Sequence, residues 1–176
     1  MNTQKRQMVS MLVQNQVGVL ARVASLFARK GFNIDSLTVS ATDDDKLSRI
    51  TITTRGDEKT LVQILSQSAK LYEARHVVAL DSETSIQREL LLVKLAADES
   101  TRSVVREAAE IYKASVVDLS VGSMVVELTG KPSKIDAFLN VIGQYKILEM
   151  CRTGVTALAR GGDILGQPRE TDTDEV

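Results

Sequence analysis

The sequence is poor in the residues on which several classes of function depend. It has no tryptophan and only 3% aromatic residues, so it offers few surfaces on which nucleic-acid bases could stack. A single cysteine, Cys151, excludes an internal disulfide and any site built from several cysteines. The 22 basic and 23 acidic side chains give a net charge of −1. No overall charge therefore attracts the chain to nucleic acid or to an anionic membrane.

Long apolar segments are also lacking. Residues 1–7 contain no apolar signal-peptide core, and no apolar run approaches the ~20 residues that span a membrane. The lone cysteine suits a reducing compartment. We therefore expect a soluble cytoplasmic protein, and its 176 residues suffice for one domain or two small ones.

The hydrophobic pattern occurs twice along the chain. In residues 1–82 it predicts a strand, a helix, two strands, a helix and a strand, and residues 83–160 repeat this order. Two helices on one face of a four-stranded antiparallel sheet form a ferredoxin-like sandwich. We predict an α+β protein of two tandem ferredoxin-like βαββαβ sandwiches. The polar residues 161–176 are predicted to be a flexible tail.

The spacing of apolar and capping residues predicts how the helices lie. The first helix is predicted to bury the stripe Leu20, Val23, Ala24 and Phe27. Gly31 is predicted to end it, and Asp57 and Ser100 to cap the second and third helices. Pro132 suits the first turn of the fourth. The sheet faces away from the helices are expected to be covered by the other unit or by another copy, so we predict an oligomer.

No residue pattern indicates catalysis or metal binding. His76 is the only histidine and has no accompanying nucleophile, and Cys151 is expected to be a small core residue. The run Asp43–Asp45 could bind a cation, but such a run between two strands is more typical of a solvated turn. Zinc-ligand spacing, a P-loop, a nucleophile elbow and a dinucleotide fingerprint are all absent. The sequence therefore predicts neither an enzyme nor a metal site.

The loop after the first strand is the candidate binding site. A helix N-terminus offers unpaired N–H groups that attract a carboxylate, and Gly18 would let a ligand approach the backbone. Asn15 and Asn33 could pair with an ammonium or a carboxylate. Apolar neighbours of this loop are Val19, Leu20 and Ile34. A small aliphatic amino acid would fit this set, but by their chemistry alone Asn15 and Gly18 are more typical of an ordinary tight turn.

The second repeat differs at the equivalent loop. Residues 97–101 read ADEST, with two carboxylates and no glycine. These carboxylates would repel the carboxylate of a ligand. An amino-acid site is therefore expected in the first unit only.

At these residues the sequence resembles the small regulatory subunit of acetolactate synthase (acetohydroxyacid synthase), whose N-terminal half is an ACT domain. The resemblance extends from about residue 8 to residue 161. The stretches that carry it are NQVGVLARVASLFARKGFNIDSLTVSATDD, LSRITITTRGDEK, RELLLVKL and RTGVTALARG. Residues 1–82 would be the ACT domain for effector sensing and dimerisation, and residues 83–160 a related C-terminal domain.

The resemblance implies a non-catalytic subunit with a site between two chains. A homodimer would bind a feedback effector, usually valine, between paired ACT domains. Asn15, Gly18 and Asn33 match effector-binding positions of the family, and Leu20 and Ile34 match positions that contribute backbone groups. The Gly18 end of one chain would face the Asn33 strand of the other.

The catalytic partner implied by the family is a separate, larger subunit. That subunit holds thiamine diphosphate, magnesium and usually FAD, and it condenses pyruvate with a second 2-ketoacid in branched-chain amino-acid synthesis. The small subunit raises its activity and needs no cofactor of its own.

Two other functions remain as alternatives at this stage. One is a stand-alone ACT amino-acid sensor that regulates another enzyme or a transcription complex. The other is an acylphosphatase-type enzyme, which shares the sandwich. That enzyme would need an arginine in the first strand-to-helix loop, where this sequence has none between Asn15 and Gly18.

Overall fold

The fold of the protein is given by a computed structural model that describes residues 5–166. Contacts divide the described chain into two units, one comprising residues 5–86 and 155–166, the other Gln87–Gly154. Each unit has an antiparallel sheet and two helices. The predicted α+β architecture of two tandem ferredoxin-like sandwiches is confirmed. Of the tail predicted to be flexible, residues 167–176 lie outside the described residues.

The first unit follows the predicted order of elements. Its elements are β1 (Lys5–Gln14), α1 (Val19–Lys30), β2 (Ser36–Ala41), β3 (Leu47–Gly56), α2 (Glu58–Ser68) and β4 (Ala74–Ala79). The strands lie in the order β2-β3-β1-β4, with every neighbouring pair antiparallel. One core fills the space between the sheet and the helices, and Val9, Met11 and Phe27 are among its buried members. This core fixes α1 on the sheet and so determines where the loop before α1 lies.

The ends of the first two helices are as predicted, but the buried stripe of α1 is not. Gly31 ends α1 in the left-handed region, with φ 72°, and the Asp57 carboxylate accepts the Thr60 backbone N–H at 2.8 Å. Leu20 and Ala24 were predicted to be buried, and both are exposed. The buried residues of α1 are Val19, Val23, Leu26 and Phe27. This second set also has helical spacing, so periodicity alone did not select the correct one.

The sheet face of the first unit that lies away from its helices is covered by the chain itself. Val155 and Ala157 are buried there in a small apolar cluster with Met8. The Thr38 hydroxyl donates to the Val155 carbonyl at 2.9 Å. The sequence-based division placed residues 155–160 in the second domain, whereas their contacts group them with the first unit. Because they occupy this face, no second copy is needed to cover it.

The second unit repeats the plan. Its elements are β5 (Ser85–Ala96), α3 (Glu99–Tyr112), β6 (Ser115–Leu119), β7 (Ser123–Gly130), α4 (Pro132–Ile142) and β8 (Ile147–Arg152). The strand order is β6-β7-β5-β8. The last strand, β9 (Thr156–Ala159), belongs to the first unit. Pro132 occupies the first turn of α4, as predicted. The core of the second unit includes Leu91, Val93 and Phe138, each fully buried.

A buried ion pair connects the two strands β5 and β8. Arg152 donates from Nε to Glu89 Oε1 at 2.8 Å and from Nη2 to Oε2 at 2.7 Å. It also donates from Nη1 to Asp136 Oδ1 at 2.9 Å. These bonds, chiefly those to Glu89, raise the pKa of the Arg152 guanidinium above its usual value. Glu89 comes from the RELLLVKL stretch and Arg152 from RTGVTALARG, so two of the family-like segments meet at this pair.

The predicted cap of α3 is wrong by two residues. Asp98, not Ser100, is the N-cap, and its Oδ1 accepts the Thr101 backbone N–H at 2.7 Å. The Ser100 hydroxyl donates to the same oxygen at 2.8 Å. These bonds, with that from the Thr101 backbone the largest cause, lower the pKa of Asp98 to about 2. Because α3 begins at Glu99, Asp98 occupies the cap position and Ser100 lies inside the first turn.

This cap predicts a specific response to acid. A carboxyl group whose pKa is lower in the folded than in the unfolded state stabilises the fold above its unfolded pKa. For Asp98 that contribution is complete above the ordinary value of 3.8 and is lost as the pH falls toward about 2. In an Asp98→Asn variant the side-chain amide can still cap the helix but does not titrate. We therefore expect the difference between the urea midpoints of wild type and variant to change progressively between pH 5 and pH 2, as the Asp98 contribution is lost. A constant difference across this range would contradict the prediction.

Candidate site at the start of the first helix

The candidate site lies where β1 ends and α1 begins. Gly18 is the N-cap residue of α1, it has φ 88° in the left-handed region, and no side chain caps the helix. A Cβ added to Gly18 would meet no heavy atom within 4 Å. The Val19 N–H donates to the Gln16 carbonyl at 3.4 Å, so the N–H groups of Leu20 and Ala21 are the ones that this turn presents beside an open backbone, at the positive end of the helix dipole. An anion such as a carboxylate is the chemistry that this arrangement favours.

Asn15 is held in place by the turn between β2 and β3. Its backbone N–H donates to the Lys46 carbonyl at 2.7 Å, and its side-chain Nδ2 donates to the Asp45 carbonyl at 2.9 Å. Its side-chain oxygen accepts no hydrogen bond from any residue in the range 5–166. Asn15 is exposed, so this oxygen faces solvent and can accept from a ligand ammonium.

Asn33 precedes β2 and is also exposed. Its Nδ2 donates to Asp35 Oδ1 at 3.0 Å, and its carbonyl accepts the Thr54 hydroxyl at 2.6 Å. Arg55 in turn donates to the other carboxylate oxygen of Asp35 at 3.0 Å. Asn33 is thereby fixed in orientation while its side-chain oxygen stays available.

The apolar residues predicted for the site are arranged around the core of the first unit. Val19 is buried in this core and Ile34 packs against it while half-buried. Leu20 is 43% exposed. Among the described residues, no hydrogen bond connects the Asn15–Gly18 loop to Asn33. Asn15 and Asn33 are thus each held by their own hydrogen bonds, and both face solvent.

Sequence reasoning missed two residues that brace this loop, Arg22 and Glu73. Arg22 donates from Nη1 to the Glu73 carboxylate. Glu73 has a side chain only 8% exposed, whereas that of Arg22 is 63% exposed. Neither residue belongs to a local motif. A lone carboxylate before a strand reads as surface charge, so only the three-dimensional contact reveals it.

The other chemistry-bearing residues are structural or exposed. Asp44 Oδ1 accepts the Lys46 backbone N–H at 2.9 Å, which makes the acidic run Asp43–Asp45 a turn. Cys151 is exposed, so the expectation that it packs in the core is wrong. Within the described part of the chain no group of three or more His, Cys, Asp or Glu side chains could hold a metal ion. No helix among these residues is long and apolar enough to cross a membrane.

Comparison with known proteins decides the family. A family model described as an AHAS small subunit-like ACT domain matches residues 9–75, and one for the small subunit of acetolactate synthase matches residues 88–161. The acetolactate synthase small subunit of Mycolicibacterium smegmatis is 43% identical over 153 residues, which cover 87% of this chain and 90% of that protein. The chain belongs to the acetolactate synthase small-subunit family.

Two further members of this small-subunit family match the chain along nearly their whole length. The small subunit of acetolactate synthase isozyme 3 from Escherichia coli is 42% identical, covering 91% of this chain and 99% of that protein. The crystal structure of the small subunit from Thermotoga maritima is 39% identical with a TM-score of 0.81, covering 90% of this chain and 99% of that one. The resemblance inferred from the sequence is confirmed. The match over residues 9–75 places the Gly18 loop in an ACT domain.

Proposed function

We propose that this small subunit confers feedback inhibition on acetolactate synthase by binding a branched-chain amino acid at the Gly18 loop. Valine is the effector that we expect it to prefer. The subunit would also raise the activity of the catalytic subunit in valine, leucine and isoleucine synthesis. The observation that carries this proposal is the open N-terminus of α1, with Gly18 in the left-handed region and no side-chain cap.

Each part of a small aliphatic amino acid has a chemical counterpart at this site. The N–H groups of the first turn of α1 would bind the carboxylate. The side-chain oxygens of Asn15 and Asn33 would accept hydrogen bonds from the ammonium. The aliphatic side chain would contact Leu20, and also Ile34, which is half-buried. A dicarboxylate without an ammonium would leave the Asn15 and Asn33 oxygens without a donor.

We further propose that the complete site forms between two chains. The exposed Asn15–Gly18 loop and the exposed Asn33 have no hydrogen bond to each other within the described residues of one chain. In a homodimer the Gly18 loop of one protomer would face Asn33 of its partner. A ligand that bridges two protomers binds one quaternary arrangement more tightly than another, which is the requirement for allosteric control.

The catalysis itself would reside in the large subunit. That partner would hold thiamine diphosphate, magnesium and FAD, and this chain would contribute none of the reacting groups. The assignment rests on the match of both family models and on the relatives named as small subunits.

Isothermal titration calorimetry with valine, leucine and isoleucine tests the proposal. We expect saturable binding of at least one of them, with one ligand for each site formed by the Gly18 loop of one protomer and Asn33 of its partner. Succinate, which has no ammonium, should not bind. The same preparation should activate the purified catalytic subunit and make it sensitive to the amino acid that binds. If none of the three amino acids binds and the enzyme stays uninhibited, the proposed effector function is wrong.

A further inference from the structure

A single residue holds both ends of the Asn15–Gly18 loop. The backbone carbonyl of Glu73 accepts the N–H of Gln14, the last residue of β1, at 2.9 Å. The Glu73 carboxylate accepts a hydrogen bond from Arg22 on α1. Arg22 is one helical turn after Gly18, and its backbone N–H donates to the Gly18 carbonyl at 3.0 Å. Glu73 therefore contacts the chain just before the loop and just after it.

The burial of Glu73 makes this contact hard to break. Its side chain is only 8% exposed, and a carboxylate removed from water requires a cation or strong hydrogen-bond donors. Within the described residues, Arg22 is the cation that pairs with the Glu73 carboxylate. Separating the two would leave a buried charge without a partner, so α1 is kept at a fixed position relative to the end of β1. The pair thus differs from an exposed ion pair, whose partners separate at little cost.

A loop that is fixed before binding loses less conformational entropy when a ligand orders it. The N–H groups after Gly18 can hold a carboxylate only if the first turn of α1 keeps its orientation. We infer that Glu73 is a positioning residue for the effector loop, acting through Arg22 and Gln14. The effector part of this inference rests on the proposed function, whereas the effect on the loop itself does not.

Two measurements on the full chain test the inference. The variants are Glu73→Ala, Arg22→Ala and the double substitution, with Arg29→Ala as the matched control, an arginine on the same helix with no ion pair among the described residues. Without effector, we expect exchange of the hydrogen-bonded amides that border the loop, those of Gln14, Asn15 and Arg22, to rise on the order of tenfold in each single variant. Exchange in the second unit should be unchanged. Arg29→Ala should match wild type.

The second measurement is valine affinity by calorimetry. Each single variant is expected to bind about tenfold more weakly, and the double variant no more weakly than either single one, because both remove the same contact. Arg22→Lys should recover part of the affinity, since it keeps the charge. Activation of the catalytic subunit should persist in all variants. If Glu73→Ala proves unfolded, Glu73→Gln replaces it with the same expected direction, because the amide keeps the volume and loses the charge.

The outcomes separate the inference from the proposed function. Unchanged loop exchange in the folded Glu73 variant would overturn the inference even if valine binds to wild type. Additive losses in the double variant would also overturn it. Raised loop exchange in a protein that binds no branched-chain amino acid would support the positioning role and overturn the effector proposal.

Discussion

Replacing Gly18 with aspartate is expected to abolish effector binding and feedback inhibition while activation of the catalytic subunit persists. The new carboxylate would stand beside the first-turn N–H groups of α1 and satisfy them within the chain, as an N-cap side chain does. It would also repel the ligand's own carboxylate. We expect valine affinity to fall at least about 100-fold, which corresponds to ~2.8 kcal/mol. Calorimetry and an inhibition assay with the catalytic subunit measure the two effects.

Matched variants separate charge from backbone strain in this experiment. Gly18 has φ 88° and Gly31, at the other end of α1, has φ 72°, and an added Cβ has open space at both. Asparagine tolerates the left-handed region better than most residues. Gly18→Asn should therefore retain more affinity than Gly18→Asp, because it lacks the charge, and Gly31→Asn should bind valine as wild type does. Equal valine inhibition of Gly18→Asp and wild type would mean that the effector binds elsewhere.

The features predicted correctly from the sequence are those decided by local chemistry. Gly31 ends α1 because the chain there needs a left-handed residue, and Asp57 caps α2 because a short carboxylate reaches the Thr60 N–H. The two sandwiches follow from hydrophobic periodicities that recur in the same order. Such signals involve neighbours within about four residues, so one sequence suffices to read them.

The features that were missed depend on contacts between distant parts of the chain. Val155 covers the sheet beside Thr38, a separation of 117 residues, and its sequence context reads simply as the end of a strand. Leu20 and Val19 are both apolar, and only the position of the core decides that Val19 is the buried one. Glu73 accepts a hydrogen bond from Arg22, at a separation of 51 residues. The predicted site between two chains stays a prediction, because it too depends on contacts between residues that are distant in sequence.

The ion pair between Glu89 and Arg152 provides the largest expected effect on stability. Glu89 has a side chain only 3% exposed, and Arg152 binds both of its oxygens. Arg152→Ala would leave this carboxylate buried without its cation, which typically costs about 3–5 kcal/mol. That loss is a large part of the ~5–15 kcal/mol by which a domain is stable. Denaturant unfolding of the full chain should show it as a lower midpoint for the second unit.

Controls on the same arginine show whether burial causes the effect. Asp136 also accepts from Arg152, but its side chain is 53% exposed, so Asp136→Ala should cost no more than ~1 kcal/mol. Replacing both buried partners, as in Glu89→Leu with Arg152→Met, removes the unpaired charge and should recover most of the stability lost in Arg152→Ala. If Arg152→Ala proves no more harmful than Asp136→Ala, then the burial of Glu89 does not determine the contribution of this ion pair to stability. The double variant would then recover no stability relative to Arg152→Ala.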